Sequence, residues 1–329
     1  MIISRACPTC RSSLKLTQKD LFDDRYGSPG KHSVFSCPKC GFGKTIPGLN
    51  RQNIGKFYAR YYPLSNENPK EMHSKVKIVT KFQAWLEGTD NTTHWYTRPG
   101  QKVLDIGSAS GISLMEITDL GGDPYGVEPD PNGKRLAKLL GLKVHQGFIT
   151  DNPFPKIKFD LITASQVIEH EPTPTKFLKS IRRKLNNQGQ VVLSFPNYNA
   201  LYRHIFGRRW LHWHIPYHLN FFTQASFRKL AKRTGFKIIK IRTITPNLWT
   251  ILQLRVLFYQ PKEGTVNPIW RKTPIRQSRN LAPQLALFDQ ILHLVAKLSV
   301  WGIMPINRLI DLVGLGESFL VIMRKSETS

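Results

Sequence analysis

The chain has 329 residues, 40% of them hydrophobic, enough for one large α/β domain with smaller attachments. Lysine and arginine number 48 against 22 aspartate and glutamate, a formal charge of +26; that excess favours anionic partners such as nucleic acid, phospholipid or phosphorylated substrates without choosing among them, and a diffuse solvated basic surface is the plain alternative. The start MIISRACPTC has no apolar signal region and no uncharged apolar run approaches the ~18 residues of a membrane span, so the expectation is a cytoplasmic protein that does not cross a membrane, with peripheral contact at its inner face left open.

Residues 1–50 carry all four cysteines, in two CPxC pairs, Cys7 with Cys10 and Cys37 with Cys40, 26 residues apart. A Cys-x-x-Cys turn aims two thiolates at one point, and two such turns complete the tetrahedral sulfur shell that Zn²⁺ accepts. A disulfide pair is the alternative and fits a cytoplasmic chain poorly. A four-thiolate site has no open position, so a zinc here is expected to be structural, stabilising a ribbon too small for its own core.

Residues 51–100 read as a linker and an N-terminal helix, with apolar residues among lysines over 71–87 and a polar, turn-rich stretch over 88–100. The domain expected over 101–246 opens on VLDIGSASG (103–111), a strand, a glycine-rich turn and then a helix over 112–120. Small residues in such a turn let backbone amides approach a ligand at a helix N-terminus. The next strand, ending YGVE, places Glu128 23 residues after Asp105, where a doubly wound sheet holds a carboxylate for ribose hydroxyls. A dinucleotide fingerprint wants G-x-G-x-x-G; this chain has G-x-A-x-G running straight into helix.

VLDIGSASG, YGVEPD (125–130), FDLITASQVIEH (159–170) and GQVVLSFPN (189–197) together resemble, in order and spacing, the strand-end motifs of class I S-adenosylmethionine-dependent methyltransferases, especially the subgroup with the ubiquinone-pathway O-methyltransferases. The resemblance implies a Rossmann-like α/β fold with a seven-stranded sheet, and S-adenosylmethionine as cofactor. It implies that Asp105 and the turn Gly107, Ser108, Ala109 and Gly111 hold the methionine moiety, that Glu128 holds the ribose, and that Pro129 or Asp130 borders the adenine. Ile149 and Thr150, in GFITD (147–151), are expected at the adenine edge. Ala109 departs from the family, which often has glycine there, so binding is expected to be weakened rather than lost.

Methyl transfer from a sulfonium needs chiefly proximity and orientation, with a base only where the nucleophile must lose a proton. The acceptor is expected over the strand ends at Ser165, Gln166 and 195–197, since ligands bind outside carboxyl strand ends in open α/β sheets. His170 follows the fourth strand of the fold and resembles a family signature, either catalytic or holding the loop. The aromatic stretch WLHWHIPYHLNFF (210–222) fits no regular pattern and reads, with 197–209, as a substrate lid; it is similar to a segment of bacterial methyltransferases that also carry an N-terminal cysteine ribbon. His218 in it is the first candidate for a general base, against a histidine satisfied by backbone groups. Arg203, Arg208 and Arg209 among these aromatics are placed to stack on bases or on sugars.

Residues 247–316 read as an insertion: a basic loop over 261–279, then apolar helices over 284–303 and 306–313, separated at Pro305. Such helices cover a neighbouring domain, meet a second chain or rest on a bilayer. A last strand and tail follow over 317–329. The reading is a methyltransferase acting on a hydroxyl or related group of a small molecule, lipid precursor or glycan intermediate. An RNA methyltransferase is the alternative, although TASQ (163–166) stands where an N/D-P-P-Y motif would mark one; a non-catalytic cofactor-binding scaffold is the third reading. Oligomeric state is not set by the sequence.

Overall fold

The computed structural model describes residues 6–61, 80–259, 261–270 and 302–326. Strands β1 (Lys15–Leu21), β2 (His32–Ser36) and β3 (Gly43–Ile46) form an antiparallel sheet, each pair in direct hairpin succession. The two CPxC turns flank it, each closed by a backbone bond, from Arg11 N–H to the Cys7 carbonyl at 2.9 Å and from Gly41 N–H to the Cys37 carbonyl at 2.8 Å. Helices α1 (Ile54–Tyr61) and α2 (Lys81–Glu87) follow. Of the helix expected over 71–87, the described part is α2, started where the Thr80 side chain accepts the Gln83 N–H and stopped by Gly88 in a left-handed conformation; residues 71–79 lie outside the described ones.

The large sheet takes β4 (Lys102–Ile106), β5 (Asp123–Glu128), β6 (Val144–Gln146), β7 (Phe159–Ser165), β8 (Leu185–Pro196), β10 (Phe236–Ile244) and β11 (Ser318–Lys325). Its order is β10-β11-β8-β7-β4-β5-β6, with β11 antiparallel to both neighbours and the remaining pairs parallel. This is the expected seven-stranded α/β sheet. The central strands bear apolar residues on both faces because helices cover both, as parallel strands require; Val103, Leu104, Leu161 and Ile162 are all buried. Connecting helices are α3 (Ile112–Asp119), α4 (Pro131–Leu139), α5 (Pro174–Lys184), α6 (Leu201–Phe206) and α7 (Gln224–Arg233). The chain leaves β4 toward β5 and β6, then returns to the other flank of β4 as β7, so a crevice opens at the carboxyl ends of β4 and β7.

The cysteine-bearing sheet is built into this domain rather than appended to it. Its fourth strand is β9 (Asn220–Phe221), which pairs with β3 from the end of the 197–222 segment. Cys7, Cys37, Cys40 and Phe42 share one apolar core with Phe195, Phe222 and Phe227 of the large domain, Phe42 meeting Phe222 edge-on at 5.3 Å. The Arg233 guanidinium donates to the Pro8 and Thr9 carbonyls at 2.7 and 2.9 Å, and the Thr223 hydroxyl donates to the Cys40 carbonyl at 2.8 Å.

The segment expected as a lid is a packed wedge: Trp210, Tyr217 and Phe222 are at most 1% exposed, and Trp210, Trp213 and Phe221 cluster with Leu21 and Val34 of the small sheet. Covering the open edge of β3 with β9 requires this burial. Beyond β10 lies α8 (Asn247–Phe258), a helix the periodicity did not suggest. It buries Asn247, Thr250 and Gln253 and exposes Leu248 and Phe258, the reverse of an ordinary amphipathic helix. Asn307 explains the polar face: it lies on α9 (residues 302–312) and exchanges hydrogen bonds with Asn247 and Thr250 at 2.9 and 3.0 Å. Pro305, expected to separate two helices, lies within α9, which runs through it from 302 to 312 among the described residues. The helix expected over 284–303 falls, except for 302–303, outside the described residues, as does the basic loop beyond residue 270. No helix among the described residues is long and apolar enough to cross a membrane.

Candidate active site

Two cavities of about 260 and 360 Å³ open over the carboxyl ends of β4, β5 and β7, and Gly107, Ala109 and Ser165 line both. The turn after β4 makes the approach possible: Gly107 has φ +77°, and a Cβ there would stand 2.5 Å from Val167 Cγ2. Asp105, near the end of β4, accepts one bond on each oxygen, from Thr163 Oγ1 at 2.6 Å and Ser113 Oγ at 2.5 Å; burial pushes its carboxyl up from the usual range. Those bonds brace the strand end against β7 and α3, while the residue still borders the larger cavity with Ser108.

Glu128 ends β5 with its carboxylate turned onto the same turn. Its two oxygens accept the Ala109 and Asp130 N–H groups, each at 2.9 Å. Each oxygen keeps a lone pair. Gly133 in α4 lets the side chain lie flat, since a Cβ there would come 2.5 Å from Glu128 Cγ. Burial, at 6% exposure, pushes this carboxyl up to about 7 against the two backbone bonds that favour its ionised form. Pro129, Asp130, Gly147, Phe148 and Ile149 complete the wall beyond it. These residues fit a nucleoside: a paired-oxygen acceptor for vicinal hydroxyls, then an apolar slot.

The sequence between 73 and 241, half of the chain, matches the family described as Methyltransferase domain. The chain belongs to the class I S-adenosylmethionine-dependent methyltransferases. Among similar proteins are the ubiquinone biosynthesis O-methyltransferase of Bradyrhizobium diazoefficiens, 31% identical over 30% of this chain and 42% of its own length, and the mitochondrial one of Schizosaccharomyces pombe, 33% identical over 29% and 38%. The chain thus spans about two fifths of the length of these relatives. The solved structure of the [4+2]-cyclase SpnF superposes with a TM-score of 0.50 at 15% identity, covering 85% of this chain and 98% of that one, a likeness of fold alone.

Of the residues expected around the cofactor of this methyltransferase, Gly107, Ala109, Glu128, Pro129, Ile149, Ser165 and Gln166 line the smaller cavity, and Asp105 and Ser108 the larger. Gly111 stands behind the lining as the N-cap of α3. Thr150 faces away, its hydroxyl accepting from Arg51 Nη1 at 3.0 Å. Phe148 and three residues of α1, Ile54, Gly55 and Tyr58, line the cavity without having been expected there; an apolar-aromatic run in the linker was the available signal.

The two histidines differ in position. His170 is in the cavity wall, with its Nδ1 hydrogen-bonded to the Tyr58 hydroxyl at 2.7 Å, and burial holds its imidazole down to about 4, hence neutral. His218 lies behind it, ring centroids 4.8 Å apart, with Nδ1–H donating to the His212 carbonyl at 2.8 Å. The arginines read as stacking groups are tied internally: Arg208 donates to the Lys19 and Asp20 carbonyls at 2.6 and 3.0 Å, Arg209 to that of Leu257 at 3.4 Å, and Arg203 lies over Tyr198 at 4.3 Å.

The four cysteine sulfurs lie within 4.8 Å of one another, with closest pairs at 3.4 and 3.6 Å. A disulfide would need about 2.05 Å. Four sulfurs at about 2.3 Å from a tetrahedral ion sit about 3.8 Å apart, so the cluster fits such an ion with small adjustments.

Proposed function

We propose that the chain transfers a methyl group from S-adenosylmethionine to an oxygen of a small-molecule, lipid-precursor or glycan acceptor, with a structural zinc on Cys7, Cys10, Cys37 and Cys40. The observation that carries the reading is Glu128, a buried carboxylate pinned by the Ala109 and Asp130 amides at the cavity rim with a lone pair left on each oxygen. Those lone pairs take the ribose hydroxyls. Asp105, Gly107 and Ser108 receive the methionine end and Phe148, Pro129 and Ile149 the base. The cofactor supplies a methyl on a positively charged sulfur, which departs as a neutral thioether.

The chain's own contribution is then orientation and exclusion of water. Ile106, Val127 and Ile149 keep the floor apolar. His170, neutral and at the wall, is placed to take a proton from an acceptor hydroxyl, with Tyr58 fixing its ring. The relatives' names, O-methyltransferases, support oxygen as the atom methylated. An RNA acceptor draws support from the +26 charge and from the exposed Arg208 and Arg209, although each of these already donates to a backbone carbonyl and Arg203 lies over Tyr198.

Calorimetry with S-adenosylmethionine is expected to give one site per chain, and incubation with labelled cofactor and a cell extract to place the label in an organic-soluble or small-molecule fraction. Absence of binding overturns the reading; label recovered in RNA would replace the acceptor.

A further inference from the structure

Between Glu171 and Glu263 the sequence contains no aspartate or glutamate, while lysine and arginine recur throughout. The fold gathers much of that stretch onto one face of the large sheet. Helix α5 packs through Phe177 and Ile181, and α7 through Phe227 and Leu230, into the same core, whereas Val103, Leu161 and Val192 belong to the core on the other face. The outer sides of α5 and α7 therefore meet solvent together. Lys176, Lys179 and Arg183 recur at helical spacing on α5, as do Lys229 and Lys232 on α7, and all five are exposed.

Nothing local rewards this arrangement. Like charges one turn apart repel, and Lys176 stands in the first turn of α5, where the helix dipole opposes a cation. The crowding continues where the helices end. Arg182 Nε donates to the Gly235 carbonyl at 3.2 Å, which sets the carboxyl end of α5 against the start of β10. Lys325 stands near Lys158 and Arg182, and Lys184 near Lys158 and Arg183; burial, and after it these neighbouring cations, push both ammonium groups below the usual lysine range. Asp160, two residues from Lys158, is already committed, accepting the Lys102 N–H at 2.9 Å and Asn186 Nδ2 at 2.6 Å. None of these cations forms an ion pair among the described residues.

We propose that the outer faces of α5 and α7, with the adjoining strand ends, dock the phosphate backbone of paired RNA. Phosphates supply the negative charge that the stretch omits, and such contacts carry affinity without reading bases. Neither helix exposes a large apolar or aromatic side chain, which unpaired bases would need for stacking and a bilayer for insertion. The exposed amides of Asn187 and Gln188, the first beside Lys325 Nζ at 3.3 Å, suit the 2′-hydroxyls that DNA lacks. The surface is distant from the crevice: β11 runs from Ser318 beside Pro196 to Lys325 beside Phe236, roughly 24 Å at strand rise. RNA held there leaves the cavity open, so the proposal does not depend on the methyl-transfer reading.

The probe is a fluorescent RNA duplex of about 16 base pairs, titrated with the full chain across a salt series. Binding that weakens steeply with salt is expected. Lys179→Ala, Arg183→Ala and Lys232→Ala combined should flatten the slope of log affinity against log salt by about two to three. Lys134→Ala, Arg135→Ala and Lys138→Ala combined, on the exposed side of α4, should leave it as in wild type. Wild type that binds no duplex overturns the surface, and so does an equal flattening by the α4 set, which would make the attraction a property of diffuse charge. A DNA duplex of the same sequence bound as tightly, or phosphatidylglycerol vesicles bound in place of RNA, overturns RNA as the partner.

Discussion

The cysteine cluster and the Glu169–His170–His218 cluster are both close groups of titratable side chains, yet they are assembled in opposite ways. The cysteines come from two local turns, each of which brings its own pair together, so spacing alone announces them. Glu169 and His170 stand on the loop after β7, and His218 reaches them only because the 210–222 segment runs back to pair β9 with β3. The Thr45 hydroxyl of β3 donates to the His218 carbonyl at 2.6 Å, so the small sheet that carries the cysteines also holds a histidine of the other cluster. A site closed by local turns is visible in the sequence; one closed by strand pairing between distant segments is not.

The strongest way to break the comparison is to remove a cysteine. Cys37→Ala opens the four-thiolate cluster, where a zinc, if held as proposed, would contribute on the order of 10 kcal/mol as in small zinc domains, and it does so inside a core shared with Phe195 and Phe222. Loss of soluble folded protein, or a thermal midpoint lowered by ten degrees or more, is expected. A variant melting like wild type in the presence of a chelator would show that the small sheet, with its bond from Thr45 to the His218 carbonyl, stands without metal.

Next in size is the effect at Glu128. Glu128→Gln replaces a charged double acceptor with a group that accepts on one side only, and charged hydrogen bonds contribute about 1.5–3 kcal/mol each, so cofactor affinity is expected to fall about tenfold to hundredfold. The pH dependence has a definite sign. Burial raises the carboxyl to about 7, so the free folded protein holds this proton more tightly than the unfolded chain does. Its contribution to stability is therefore greatest below about 4.5 and is lost as pH rises toward 7. Cofactor that needs the ionised form should bind with release of a proton and weaken about tenfold per unit as pH falls below 7. Calorimetry in buffers of different ionisation enthalpy measures both, and a pH-independent affinity would remove Glu128 from the ribose.

Asn220→Ala sharpens the contrast by loosening one cluster only. Its amide donates to the carbonyls of Ile168, Glu169 and Glu171 at 3.3, 3.4 and 2.7 Å, and stranding those acceptors costs about 1–3 kcal/mol. Chemical denaturation should show that loss with zinc content unchanged; unaltered stability would mean water replaces the amide and the loop holds itself.

The same distinction between local and assembled features governs the rest of the molecule. Asp105, Glu128 and the glycine turn were readable because strand, turn and helix are contiguous, and the large sheet followed from their order. Tyr58 was not, since the apolar-aromatic run around it does not report that α1 folds over the cavity, and Phe148 was passed over for its neighbours Ile149 and Thr150. Thr150 was placed in the cavity by position along the motif, but Arg51 draws its hydroxyl and Asp151 outward. The helix α8 escaped because polar Asn247, Thr250 and Gln253 lie with Val256 on its buried stripe, Asn247 and Thr250 paired to Asn307 and Gln253 to the backbone of Arg209 and Leu211, leaving Leu248 and Phe258 outside to mask the period.

Ala109 carries the smallest and most local effect. It has φ +45°, a left-handed conformation that costs an L-residue with a Cβ about 1 kcal/mol, and its N–H is the donor that Glu128 holds at 2.9 Å. Ala109→Gly relieves the conformation without touching that bond, but glycine also gives the unfolded chain more freedom, by up to about 1 kcal/mol. Relief and entropy nearly cancel in stability, so the thermal midpoint should move by a degree or two at most. Cofactor affinity is where a difference would appear: if the methyl group crowds the ligand, the glycine variant binds severalfold tighter at unchanged midpoint. If affinity and midpoint both stay at wild-type values, the turn is already shaped for its ligand and the departure from glycine has no cost.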